Sequence, residues 1–73
     1  MEEIVKKTFE SFGKKIRKLR KERNLSVKEL SKLTGIREQY LYKIESGKAY
    51  GMCTSYVLLF AKSLNVEIKS LFD

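Results

Sequence analysis

Between positions 37 and 43 the chain reads Arg37, Glu38, Gln39, Tyr40, Leu41, Tyr42, Lys43. A glutamine amide carries a donor and an acceptor side by side, which matches the N6/N7 edge of adenine, and a guanidinium matches a guanine edge or a phosphate. Glu38 can accept from a cytosine amino group, and Lys43 stands one helical turn beyond Gln39, within reach of a base. Arg37, Glu38, Gln39 and Lys43 are therefore the candidate base-reading residues. Lys28, Tyr40, Lys48 and Tyr50 offer the N–H and O–H donors that phosphate oxygens accept. Other chemistry lacks material. The chain has no histidine and a single cysteine, Cys53, so neither a metal site nor a Cys–His nucleophile pair can be assembled. Cys53 reads as a small apolar residue. No catalytic constellation, cofactor site or small-molecule site is expected, and the chain is read as a non-enzyme.

Length and charge narrow the partner. Seventy-three residues make one domain with one small core. Sixteen Lys and Arg against nine Asp and Glu give a formal charge of +7, which favours a polyanion, either nucleic acid or an acidic membrane surface. No apolar run approaches the ~18 residues of a membrane span. The N-terminal MEEIVKK lacks the basic start of a signal peptide. A cytosolic protein is the expectation.

The elements that must position these side chains centre on residues 26–48, SVKELSKLTGIREQYLYKIESGK. Ser26 and Glu29 form the S-x-x-E capping box of a first helix, in which Val27, Leu30 and Leu33 recur at helical spacing. Gly35 stands where a left-handed residue ends that helix and turns the chain. A second helix over about 38–46 turns Leu41 and Ile44 inward and stops at Gly47. On this second helix Tyr42 is assigned to the surface or core rim, away from Gln39 and Lys43. Two helices around a glycine-containing turn form a helix-turn-helix. Upstream, Ile4, Val5, Thr8, Phe9, Phe12, Ile16 and Leu19 keep one helical phase through Gly13. One helix from about 3 to 23 is the first choice, with a break near Gly13, at a cost of ~1 kcal/mol in mid-helix, as the alternative. The run KKIRKLRKER over 14–23 reads partly as a solvated face and partly as a diffuse phosphate surface. Downstream, Thr54 caps a helix over about 55–64 that is apolar nearly all round, with Val57, Phe60, Ala61 and Leu64 inward. Asn65 ends it, and a last short helix over 67–72 brings Ile68, Leu71 and Phe72 to the core.

The ordered set E-L, G-I and L-x-x-I-E-x-G-K, flanked by R-K-L-R and L-N-V-E-I-K-S-L-F, resembles the Cro and phage-repressor type of helix-turn-helix regulator. The resemblance covers about residues 12–72. It implies an all-α fold of about five short helices, with residues 1–11 as an N-terminal extension of a single domain. It also implies a structural pair between Arg20 and Glu45, since the family pairs an arginine at the first position with a glutamate late in the recognition helix. Three departures stand out. Val27 occupies a position where the family often has glutamine, Arg37 one where it usually has a Ser or Thr cap, and the loop over 47–54 is one residue longer and lacks the family's proline near Gly51.

The function implied is sequence-specific binding of double-stranded DNA by major-groove insertion of the helix around 38–46, in transcriptional regulation. A helix as apolar as 55–64 needs burial on two sides. A homodimer interface is therefore expected at Tyr56, Leu58 and Leu59. The alternative is a protein-interaction module, antitoxin-like or adaptor, in which the same fold binds DNA only weakly. A basic amphipathic membrane binder is disfavoured because the apolar stripes are needed for the core.

Overall fold

The structure, a computed structural model, describes residues 2–49, 52 and 54–72, with side chains from residue 6 onward. Four α-helices follow one another: α1 (Glu2–Glu22), α2 (Val27–Thr34), α3 (Glu38–Glu45) and α4 (Thr54–Leu64). A 3-10 turn, Ile68–Phe72, closes the chain. The all-α, helix-turn-helix expectation holds. Thr54 opens α4 as its first residue rather than preceding it.

Each helix stops at a residue in the left-handed region. These are Asn24 (φ 55°), Gly35 (φ 78°), Gly47 (φ 79°) and Asn65 (φ 55°). Glycine adopts that conformation freely, and asparagine is the side chain that tolerates it best. The amide after the stop then reaches back to an open carbonyl, as in Leu25 N–H to Arg20 O (3.1 Å), Lys48 N–H to Lys43 O (3.0 Å) and Val66 N–H to Ala61 O (2.9 Å). Short helices end sharply in this way, and the four axes can be packed at steep angles.

The core joins all of them. Phe12, Ile16, Leu30, Leu41, Ile44, Phe60, Leu64 and Leu71 are all but inaccessible. Phe12 ties three elements. Its ring meets Phe60 of α4 edge-on (centroids 5.9 Å apart) and stacks on Phe72 of the closing turn (5.3 Å). Such pairs contribute about 0.5–1.5 kcal/mol beyond their burial. α1 packs mainly on α3 and on the closing turn, and α2 packs on α3 and α4.

Three sequence expectations are corrected here. Leu33 is 56% exposed, while Thr34 is buried. At about 100° per residue, Leu33 lies roughly 120° round the helix from Val27, whereas Thr34 lies within about 20° of it. The buried Thr34 hydroxyl is satisfied: it donates to Leu30 O (2.9 Å) and accepts from Ile36 N–H (3.1 Å). Ile68 is also exposed, because Val66 packs against the core ahead of it. Phe72 remains half outside even as it stacks on Phe12. In the N-terminal stripe Phe12 is buried, Phe9 is half-buried and Thr8 is at the surface. α1 runs unbroken through Gly13.

Candidate nucleic-acid interface

The geometry of α3 starts from what holds its two ends. At its start, α2 is capped on both sides of the box: Glu29 N–H donates to Ser26 Oγ (3.0 Å), and Ser26 N–H donates to the Glu29 carboxylate (2.9 Å). These bonds to its ionised form hold the Glu29 carboxyl below its ordinary value of 4.5. At the far end of α2, Gly35 N–H returns to Ser31 O (2.8 Å). The Ser31 hydroxyl donates to Ile36 O and Thr34 Oγ1 accepts from Ile36 N–H, so the three-residue turn is bonded at its centre. Ile36 itself is buried. Sequence reasoning missed this pair of hydroxyls, because Ser31 and Thr34 read as ordinary surface positions of α2.

Arg37 stands at the N-cap of α3 and makes no side-chain cap bond. Its guanidinium is exposed and available to a partner. The C-terminal end of α3 is tied to α1. Arg20 Nε donates to Glu45 Oε2 (2.8 Å) and its Nη2 to Oε1 (3.0 Å), while Nη1 donates to Leu25 O (2.8 Å). The two side chains retain only 12% and 7% of their accessible surface. The hydrogen bond to Glu45 raises the Arg20 pKa further above its already high value, against the opposing effect of burial. The structure thus brings Arg20 and Glu45 into a two-point fork, and through Leu25 this fork also anchors the link to α2.

With both ends held, α3 presents a fixed outer face. Leu41 and Ile44 are buried. On the opposite side Gln39, Tyr42, Lys43 and Ser46 follow i, i+3, i+4, i+7 and share one stripe. Gln39, Tyr42, Lys43 and Ser46, with Arg37 and Tyr40, line a single open groove. Gln39 and Lys43 are fully at the surface. Tyr42, 59% exposed, therefore belongs to this face and not away from it. The spacing to Gln39 and Ser46 already carried that information. Glu38 is exposed at the opening of the helix but does not line the groove.

The remaining candidates are dispersed. Tyr40 is half-buried, and its ring meets Tyr56 of α4 edge-on at 5.6 Å, so it serves the core as well as the groove. Lys28 in the first turn of α2 and Lys48 after α3 are exposed. Tyr50, with Gly51, Cys53 and the side chains of Ile4 and Val5, lies outside the described residues. On α4, Tyr56 and Leu59 are half-buried against the protein's own core, while Leu58 is 53% exposed. Among the described residues no group of three or more acidic, cysteine or histidine side chains could hold a metal ion. None of the described helices is long and apolar enough to cross a membrane.

Known proteins share this arrangement. The restriction-modification controller protein C.AhdI from Aeromonas hydrophila superposes with a TM-score of 0.81 at 30% identity, over 88% of this chain and 96% of that one. An HTH_3 family transcriptional regulator from Vibrio cholerae superposes with a TM-score of 0.85 at 24% identity, over 93% of this chain and 38% of that one. The second likeness shows the fold alone. No curated protein sequence matches the chain. The family described as helix-turn-helix domain matches residues 13–73, which takes in the fork, the bonded turn and the whole outer face of α3. With that span and the 30% identity to the controller protein, the chain belongs to the helix-turn-helix domain family of DNA-binding regulators, not to a family of enzymes.

Proposed function

We propose that the protein binds a specific double-stranded DNA site as a homodimer, with α3 inserted in the major groove, and regulates transcription from that site in the cytoplasm. The observation that carries this reading is the outer stripe of α3. Gln39 and Lys43 stand free on a helix fixed at both ends, flanked by an Arg37 that is not occupied by capping. A rigid helix with exposed amide and cationic groups suits base-edge hydrogen bonding, because little side-chain and no backbone order has to be gained on binding. Arg37, Gln39 and Lys43 are read as contacting bases, with Glu38 at the margin. Lys28, Lys48, Tyr40 and Tyr50 are read as phosphate contacts that set the register. The likeness to a restriction-modification controller protein supports a regulatory role.

Dimerisation supplies the second half-site. Leu58 leaves an apolar side chain on the open face of α4, and a second copy of the chain is the partner that would cover it. Tyr56 and Leu59 lie at the edge of that face, where they are shared with the monomer's own core. Two recognition helices would then sit about 34–36 Å apart, one turn of DNA. Selection of bound duplexes from a random pool tests the reading. A two-fold symmetric consensus is the expected result; retention of no sequence above background would refute it.

A further inference from the structure

α1 and α3 cross so that a second hollow opens beside the fork, lined by Arg17, Arg20, Tyr42, Glu45 and Ser46. Its position follows from the crossing. Gly13 touches the backbone of Ile44 and Glu45, and Arg20 grips Glu45. Arg17 lies between those two anchors on the same stripe of α1, four residues after Gly13 and three before Arg20. Its Cα is therefore held alongside the C-terminal turn of α3. Across the hollow stands Tyr42, exposed on the same α3 stripe as Gln39 and Lys43.

The charges in this hollow are unequal. Glu45 has both carboxylate oxygens bonded to Arg20, so these two largely neutralise each other. The Ser46 hydroxyl donates to Lys43 O (2.9 Å) and has no donor left. Arg17 is exposed and makes no ion pair or hydrogen bond among the described residues. The free donors are thus the Arg17 guanidinium and the Tyr42 phenol. The C-terminal end of a helix by itself repels anions, so an anion here requires a cation, and Arg17 supplies one.

We propose that Arg17 and Tyr42 form a phosphate site that grips the DNA backbone where the C-terminal end of α3 leaves the major groove. This rests on the DNA-binding reading and adds to it a contact from α1, a helix outside the helix-turn-helix. In the basic run over 14–23 it singles out Arg17 as a direct contact. A guanidinium and a phenol converging on one concavity suit a phosphate diester, which accepts from both.

The test is the salt dependence of binding to a fluorescein-labelled mixed-sequence duplex of about 20 base pairs. Arg17→Ala and Arg17→Gln are compared with wild type and with Lys69→Ala. The last removes the same charge from the closing turn, which packs on α1 and α4. Losing one phosphate contact makes the slope of log Kobs against log salt less steep by about 0.9. The expected result is that change for both Arg17 variants, an unchanged slope for Lys69→Ala, and weaker binding at unchanged slope for Tyr42→Phe. Far-UV circular dichroism confirms folding, which substitution at this exposed position leaves intact. An unchanged slope in the Arg17 variants, or the same change in Lys69→Ala, overturns the proposal while wild-type binding stands. A wild-type protein that does not bind the duplex at low salt overturns the DNA-binding reading itself, and this proposal with it.

Discussion

Gly13 of α1 lies directly against the carbonyl of Ile44 in α3. A Cβ on Gly13 would collide with that oxygen and stand 3.1 and 3.2 Å from the carbonyl carbons of Ile44 and Glu45. The obstacle is backbone, which cannot rotate aside. The ~1 kcal/mol that a mid-helix glycine costs is the condition for two helices to touch along their backbones. Gly13→Ala should therefore destabilise the protein by about 1–3 kcal/mol, although alanine is the better helix former. A thermal melt at or above wild type would show that the crossing relaxes freely.

The fork at the other side of the same crossing makes a separate prediction. Glu45→Ala leaves the Arg20 guanidinium without its carboxylate in a site where the side chain is 12% accessible. Breaking a buried pair costs about 3–5 kcal/mol, less where water enters. For a small domain that is a large share of total stability. Denaturant titration measures it, and a midpoint equal to wild type would exclude a structural role.

Acid should loosen α2 through Glu29. Its folded pKa lies below the ordinary 4.5 because the ionised carboxylate accepts from Ser26. The associated stability is fully present above the unfolded value and is lost as pH falls through the depressed folded value. Glu29→Gln keeps an acceptor for Ser26 N–H but does not titrate. Its stability should fall less than wild type between pH 5 and the acid limit of folding. Parallel curves for the two proteins would contradict this.

Base reading is separable from phosphate contact. Gln39→Ala should cost about 1–3 kcal/mol on the best site and relax preference at one position of each half-site. Lys28→Ala should weaken all sequences alike. Competition binding with selected and random duplexes distinguishes them; equal losses on both for Gln39→Ala would remove its role as a reader.

Leu58→Glu probes the dimer. Leu58 is exposed, so the substitution should leave the monomer folded while placing two carboxylates against each other at a shared interface. Sedimentation at micromolar concentration should show wild-type dimer and variant monomer. Leu59 is less suitable, because it is half-buried against its own core, and a charge there would disturb folding as well as assembly.

Much of the frame was legible along the chain because its signals act within a turn or two. The Ser26–Glu29 box, the stops at Gly35, Gly47 and Asn65, and the inward pair Leu41 and Ile44 each depend on neighbours three or four residues away, and the sequence alone determined them. The unbroken course of α1 followed from the phase of Phe12, Ile16 and Leu19. The Arg20–Glu45 pair, 25 positions apart, was suggested by family resemblance and acquired its two-point geometry only when α1 crossed α3. Tertiary structure alone decided what depends on which surface meets another helix. Gly13 changed from a tolerated weakness into a contact point. Thr34 took the buried place assigned to Leu33 because the helix–helix contact selects a narrow angular sector, and its hydroxyl found partners in the turn. Tyr42 joined the outer face, and Tyr56 was drawn toward Tyr40 and the core, leaving Leu58 as the open apolar side chain of α4. Periodicity gives the face of a helix; its neighbours in space determine which part of that face is covered.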